Sequence, residues 1–552
     1  MRIVYGIIVF VVALAVVATI IGRRTQIERA DDILYLALAG EPQTLHPLIA
    51  NGAPEGQILY NMQERLVEGD MWTLELKPGL ATDWEVSDDK LLYTFHLREN
   101  VRWHDGTPFT ADDVLYTYNR IVNDPEALTE NKRKAWEDCE ACEVLDDHTV
   151  RFRWREANYF TFSVCAHMWP MPRNAFDNAT GKAFNHHPVM SRLPVLTGPY
   201  RIVEWTTGVR VVLERNDDYW GEKPYFRRIV FLIVTDSQAR FQLFKKGIID
   251  MTDLSPTRWL YQTNSEKFKR QFIKVHYPTF TIYFLVWNND RVWFKDKRVR
   301  RAMTHLVNRQ KILDTVQHGF GEVITGPPYP SHPAYNRAIK PIPYDPEAAK
   351  RLLDEAGWSD HDGDGLRDKD GVKFDFEITV TQGWREQLAT IFQEDLRKVG
   401  IRMRIRRLDW AVFLSNADER NYDAMAIGSI GGSKVNYYGS FHSTEADKEK
   451  SYNRANFRNA EVDEIIEKAW ASFDDEERLR LHHRFNEIIH EEQPYTFLYA
   501  SEDRKAYNRR LVNVRFTPAF PNCAPRLWRA VPRDQIDHSL PAERFDRPQF
   551  KR

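Results

Sequence analysis

Val101-Arg102-Trp103-His104-Asp105-Gly106-Thr107-Pro108-Phe109-Thr110-Ala111-Asp112-Asp113-Val114 is the stretch whose reading decides the fold. Asp105-Gly106 supplies a tight turn. Thr110 stands where a helix N-cap belongs. Asp112 and Asp113 fall in the first turn, where the helix dipole favours negative charge. The pattern predicts a helix running on through Val114-Leu115-Tyr116-Thr117-Tyr118. Just before it, residues 91–97 alternate like a strand.

Strand and helix signals alternate outward from that point. Residues 33–38 read as a strand, broken by Gly40-Glu41-Pro42. Residues 56–67 have helical spacing. Residues 144–153, 200–203 and 229–233 read as strands, with the Gly-Pro turn Leu196-Thr197-Gly198-Pro199-Tyr200 between them. Residues 241–250 read as a helix end capped by Gly247. Tyr283-Phe284-Leu285-Val286-Trp287-Asn288-Asn289 reads as a buried strand, and residues 294–303 open a helix. A Pro-initiated helix follows Tyr344 and ends at Gly357. Strands at 374–380 and 401–405 flank a helix at about 385–399. Arg402-Met403-Arg404-Ile405-Arg406-Arg407 alternates with period two, the mark of a strand with a solvated face. The fold class is α/β, with sheet and helix mixed throughout.

The chain has 552 residues, which implies two or three domains. It is 43% hydrophobic, with 16 Trp, 23 Tyr and 31 Phe, enough for large cores and for stacking a ligand on rings. A formal net charge of −2 removes nucleic acid as an implied partner. Residues 3–21 are almost uninterrupted apolar sequence; at a helical rise of about 1.5 Å they span roughly 28 Å, one bilayer core. Residues 1–24 therefore read as an uncleaved signal anchor, with a cleaved signal peptide as the alternative. The Arg23-Arg24 pair after them runs against the positive-inside tendency.

No phosphate-binding loop, dinucleotide fingerprint, HExxH zinc motif or GxSxG elbow is present. Cys139-Glu140-Ala141-Cys142 is a CxxC without the second pair that zinc would want, and reads as a local disulfide. Asp360-His361-Asp362-Gly363-Asp364-Gly365-Leu366-Arg367-Asp368 matches the first half of a calcium loop. Asp360, Asp362 and Asp364 stand at positions 1, 3 and 5, the Leu366 carbonyl at 7 and Asp368 at 9. Position 12 is Gly371 rather than a bidentate Glu. The loop reads either as a weak structural calcium site or as an acidic Asx-turn loop. No cofactor is required.

The opening stretch, together with residues 196–200, 209–220, 229–233, 241–250, 283–289 and 294–303 in that order, resembles the extracytoplasmic solute-binding proteins of family 5, the peptide- and nickel-binding subunits of ABC importers. The resemblance covers residues 32–530. It implies a type II periplasmic-binding-protein fold: two large lobes with a hinge, plus an inserted small lobe. Lobe I would comprise 32–67, 196–284 and 491–535, small lobe II 68–195 and lobe III 285–490, with a polar tail at 536–552. Crossover segments would lie near 277–283 and 494–498. It implies capture of an oligopeptide or peptide-like solute by a monomer, outside the cytoplasmic membrane, and delivery to permease subunits. The alternative is an exported hydrolase using the same cleft. Ligand contacts are implied at Asn51, Gly52, Ala53, Pro54 and Glu55, at Trp287, Asn288 and Asn289, at Trp384 and Arg385, and at Ser429, Gly431 and Lys434. Where peptide-binding members carry an amine-holding Asp in the last of these loops, this chain has Lys434. That charge reversal leads to the expectation that Lys434 contacts an acceptor on the solute.

Overall fold

The computed structural model describes residues 30–546 except Ser433. The expected anchor, residues 3–21, lies outside the described residues. Among those described, no helix is long and apolar enough to cross a membrane.

Three sheets organise the chain. The first runs in the order Ile33–Leu38, Arg228–Ile233, Arg210–Arg215, Tyr200–Thr206, with its first pair parallel and the others antiparallel. The second is antiparallel, in the order Ala81–Val86, Leu92–Leu97, Thr149–Trp154, Cys139–Asp146. The third is mixed and larger, and its path runs Met251–Asp253, Tyr495–Asn508, Phe272–Trp287, Ala424–Ile430, Asp375–Val380, Arg402–Arg407. Its two longest strands, Phe272–Trp287 and Tyr495–Asn508, pair antiparallel from one lobe into the next. The chain thus passes between lobes twice on one ribbon. The register slips between Pro278 and Ile282, opposite Ala500 to Glu502. The second crossover therefore lies at about 500–503 and not at 494–498, because Tyr495 and Phe497 already pair with Val286 and Phe284 inside the third sheet.

The opening stretch folds as its chemistry dictates. Thr110 caps Ala111–Val122, and Asp113 closes a capping box. Asp113 is buried and fully used: its carboxylate accepts from Trp103 Nε1 at 3.1 Å, Thr110 N at 3.0 Å and Arg173 N at 2.9 Å. His104 ties this stretch to the Gly-Pro turn, with Nε2 3.0 Å from the Gly198 carbonyl and Nδ1 accepting from Leu196 N at 3.2 Å. Gly198 presses on the Met62 backbone, where a Cβ would come within 2.4 Å of the Met62 oxygen. The Arg402–Arg407 strand has the solvated face its pattern predicts, with Arg404 reaching Asp375 at 3.0 Å and Arg406 reaching Glu377 at 3.4 Å.

Three expectations are corrected. The helix read over 56–67 is Ala53–Leu59, because the backbone beyond it bonds to distant loops: Gly198 N donates to Met62 O, and Leu66 N to Met168 O. The strand read over 144–153 is a hairpin, Cys139–Asp146 and Thr149–Trp154, turning at Asp147-His148. Cys139 and Cys142 form no disulfide; both are free and buried. They lie on one strand, where extended backbone at about 3.3 Å per residue puts them about 10 Å apart, beyond the roughly 7 Å Cα limit of a disulfide. Burial pushes the Cys139 thiol up to about 12.

Burial also holds four histidines, His46, His104, His167 and His482, at about 4. Each is neutral in the folded chain and takes up a proton on unfolding below about 6.5. Their stabilisation is complete above that value and lost as pH falls toward 4. Glu64, held at about 7 by burial despite bonds from Tyr219 and Trp220, binds its proton in the folded state and offsets one of them. The melting temperature is expected to fall from pH 6.5 to 4. Scanning calorimetry across that window checks it, and a flat profile would mean that these rings are already protonated in the folded chain.

Candidate functional site

The two crossover strands carry the candidate site at their lobe III end. Strand alternation puts Tyr283 on the same side as Leu285 and Trp287, but at the cleft end of the strand. Its ring meets Trp384 edge-on at 4.7 Å and tilts against Tyr499 at 5.0 Å. Trp384 and Arg385 start the helix Trp384–Arg397 behind Gly383, whose φ of 98° suits a residue without a side chain. Arg385 donates from Nε to Ala426 O at 3.0 Å and from Nη1 to Thr381 Oγ1 at 3.2 Å. Its guanidinium lies over Trp384 at 4.5 Å and Trp410 at 5.3 Å. No carboxylate among the described residues pairs with it, and burial lowers its pKa.

The glycine-rich loop closes the other side. Gly428 accommodates the Tyr283 ring, 2.9 Å from where a Cβ would stand. Ser429 and Gly431 are exposed, and Gly431 N donates to Phe280 O at 2.9 Å. Behind the loop is a cavity of about 640 Å³, lined among others by Phe280, Ile282, Tyr329, Tyr495 and Lys434. Lys434 was expected to contact the solute, but its acceptor here is protein. Its Nζ donates to the Tyr159 carbonyl at 3.0 Å, across the cleft from the small lobe. Burial, with Arg478 nearby, lowers the lysine to about 8. Tyr159 also donates its hydroxyl to Val435 O and its N–H to Trp470 O at 3.4 Å, and lies 4.6 Å under Arg478. Phe160 packs on Trp470 at 5.2 Å. Together these contacts clasp the small lobe to the third lobe. The clasp's signal in the sequence is the aromatic pair Tyr159-Phe160 just ahead of the helix Thr161–Ala166.

The remaining expected contacts divide. Trp287 is fully buried and donates to Thr496 Oγ1 at 3.0 Å. Asn288 is buried too; its Nδ2 donates to Tyr422 O at 3.0 Å, and its Oδ1 accepts from Asp290 N and Asn456 Nδ2 at 3.2 Å. Asn289 N donates to Ala455 O at 2.9 Å. Trp287 and Asn288 are thereby held inside lobe III, while Asn289 is half-buried and its Oδ1 has no hydrogen-bond partner among the described residues. Glu55 is buried. Its carboxylate turns back on its own helix start, accepting from Gln43 N at 2.6 Å, and a Cβ on Gly52 would lie 2.1 Å from Oε2. Asn51 and Ala53 are exposed and Pro54 is half-buried, at the lip of lobe I.

In the acidic loop, Asp360, Asp362 and Asp368 offer carboxylate oxygens within 4.8 Å of one another. The Lys373 ammonium sits among them, at 2.6 Å from Asp362, 3.0 Å from Asp364 and 3.5 Å from Asp368. His361 also bonds Asp368, at 2.9 Å. Leu366 N caps onto Asp364 at 2.8 Å, as an Asx turn does.

Two lobes joined by a double crossover and closed over a ring-lined cleft define a solute-binding protein. The chain belongs to the bacterial extracellular solute-binding proteins, family 5, whose sequence profile matches residues 75–449. It is 29% identical over 494 residues to the oligopeptide-binding protein AppA of Bacillus subtilis, covering 88% of this chain and 89% of that one. It is 26% identical over 489 residues to the dipeptide-binding protein of Escherichia coli, covering 84% and 88%. The solved structure of the Bacillus subtilis AppA in complex with a nonapeptide superposes with a TM-score of 0.75 at 27% identity, over 91% of this chain and 99% of that one. NikA of Brucella suis, solved with Fe(III)-EDTA, shares the fold at a TM-score of 0.79 and 23% identity, over 90% and 100%.

Proposed function

We propose that this protein captures a peptide or peptide-like solute by hinge closure and delivers it to the permease subunits of an ABC importer. The observation that carries the reading is the double crossover with its clasp: the half-buried Tyr283 and Trp384 stand at the lobe III end of the ribbon, the glycine-rich loop lies beside them, and the Lys434–Tyr159 clasp bridges the lobes. Closure then shifts an open–closed equilibrium by the solute's preference for the closed form. The relatives that bind oligopeptides and dipeptides support a peptide over other solutes. No cofactor enters this reading. A calcium ion in the acidic loop would have to displace the Lys373 ammonium. Mass spectrometry of small molecules released from the purified, denatured protein tests the cargo. A peptide pool incubated with the protein separates binding from hydrolysis: a binder returns the peptides intact, and cleavage products would overturn the reading in favour of a hydrolase.

The body is placed outside the cytoplasmic membrane, as a monomer tethered by residues 3–21. Protease added to intact spheroplasts is expected to release a fragment of nearly full body size. Complete protection of the body overturns the placement, and a mature N-terminus near residue 16 overturns the tether alone.

A further inference from the structure

Ala30, where the described chain begins, lines a pocket of about 400 Å³ in lobe I. Phe272 and Asn508 line it too, and they pair at the end of the crossover ribbon remote from lobe III. The cations of the pocket come from separate elements. Lys245 and Lys246 close the helix Ser237–Lys245, and Arg270 lies in the last turn of Glu266–Gln271. A basic residue at one helix C-terminus is ordinary; two helix ends supplying three of them to one pocket is not. All three are exposed, and among the described residues none forms an ion pair. Lys245 rests over the Phe241 ring at 5.0 Å. Glu266, on the helix of Arg270, is taken by Lys269 at 3.0 Å. Arg510 also lines the pocket, but Asp250 balances its charge at 2.7 Å. Asp31 is the one carboxylate among the lining residues, so three unpaired cations face a single acid. His538 of the C-terminal tail completes the lining. Leu540, two residues on, is exposed and shares a second cavity with Ile273 and Tyr507, the next residues along the same ribbon end.

We infer that this pocket docks the phosphate of an anionic phospholipid headgroup, and that the end of lobe I carrying it rests on the outer face of the cytoplasmic membrane. The inference rests on the tether reading. Residues 22–29 separate the apolar segment from Ala30. Fully extended they span at most about 28 Å, so the bilayer surface stays within reach of the pocket. The same stretch carries Arg23, Arg24 and Arg29, further cations for an anionic surface. A phosphate accepts from guanidinium and ammonium donors, and Arg270 and Lys246 supply both. Free phosphate offers the same oxygens. The tether and the exposed Leu540 favour a lipid, whose hydrocarbon lies directly beneath its phosphate. Held this way, lobe I stays on the bilayer and lobe III is the part that swings on closure.

The test is hydrogen exchange of the full chain with nanodiscs of phosphatidylcholine, alone or with about 30% phosphatidylglycerol. Amides of residues 245–247, 270–272 and 536–538 are expected to exchange about 30-fold more slowly with phosphatidylglycerol, the scale for two basic side chains at an anionic surface. The lobe III strand 402–407 should not change. The slowing should vanish in about 0.5 M salt and in Lys246→Glu combined with Arg270→Glu. The salt contrast needs no variant, so it stands even if the double variant folds poorly. Equal exchange in the two kinds of disc, or slowing that survives the charge reversal in a folded variant, overturns the headgroup site. The same slowing produced by inorganic phosphate with phosphatidylcholine discs overturns the lipid as its source. Elution of the chain with the discs separates this site from the tether. Elution with both kinds supports the tether, and elution with phosphatidylglycerol discs only supports the pocket and overturns the tether. Elution with neither overturns both, and peptide capture is untouched by every outcome.

Discussion

Tyr159→Ala is expected to shift the chain toward an open form and to weaken solute capture by about 30-fold or more. The side chain contributes its hydroxyl bond to Val435 O, a ring contact with Trp470 at 6.2 Å and the Arg478 cation at 4.6 Å. A neutral hydrogen bond contributes about 1 kcal/mol, an aromatic pair about 0.5–1.5 and a cation–π contact about 0.5–1. All three bridge the small lobe to lobe III, so they stabilise the closed form alone. Removing about 2–3 kcal/mol from one side of a two-state equilibrium moves it by roughly 30- to 150-fold, and apparent affinity falls with the closed population. Small-angle scattering of the ligand-free chain should report a larger radius of gyration, with an unchanged circular dichroism spectrum. Lys434→Ala removes one further clasp bond and should act in the same direction with a smaller effect. A Tyr159→Ala protein with unchanged scattering and affinity would show that the lobes stay together without the clasp.

Asp250→Ala is expected to cost about 3–5 kcal/mol of stability in lobe I, the scale for leaving a buried charge uncompensated. Asp250 is fully buried and pairs with Arg510 at 3.0 and 2.7 Å. It also accepts from Tyr35 N at 2.9 Å, while Arg510 donates to Ile33 O at 2.8 Å. One ion pair therefore fastens the first strand, the segment before Met251–Asp253 and the far end of the second crossover strand. Its loss should lower the first calorimetric transition while leaving the lobe III transition in place. Asp250→Leu combined with Arg510→Met should recover much of that stability, because no charge is then left buried. Equal melting of Asp250→Ala and the parent would mean that Arg510 finds solvent in the folded chain.

Several features were legible from local chemistry. Thr110 and Asp113 announce a capping box because both partners lie within four residues, and the box formed. Period two in Arg402–Arg407 announced a strand with a charged face, since each second side chain must point one way. The order of such strings carried the family and the α/β class. What local chemistry could not decide was the environment of each side chain. Trp287 and Tyr283 lie on one strand with similar apolar character, yet one is sealed in the lobe III core and the other lines the cleft. Only the pairing partners from residues 424–430 and 495–500 separate their fates. The CxxC looked like a disulfide until extension of its strand drew the thiols apart. The acceptor that Lys434 finds in this structure, the Tyr159 carbonyl, lies 275 residues away in sequence and is invisible to any window of chain. Sequence by itself determined the elements and their order, because propensity, capping and alternation act over a few residues. The cleft, its clasp and its unpaired charges were decided by tertiary structure, because each depends on groups that meet only after the chain has crossed between lobes twice.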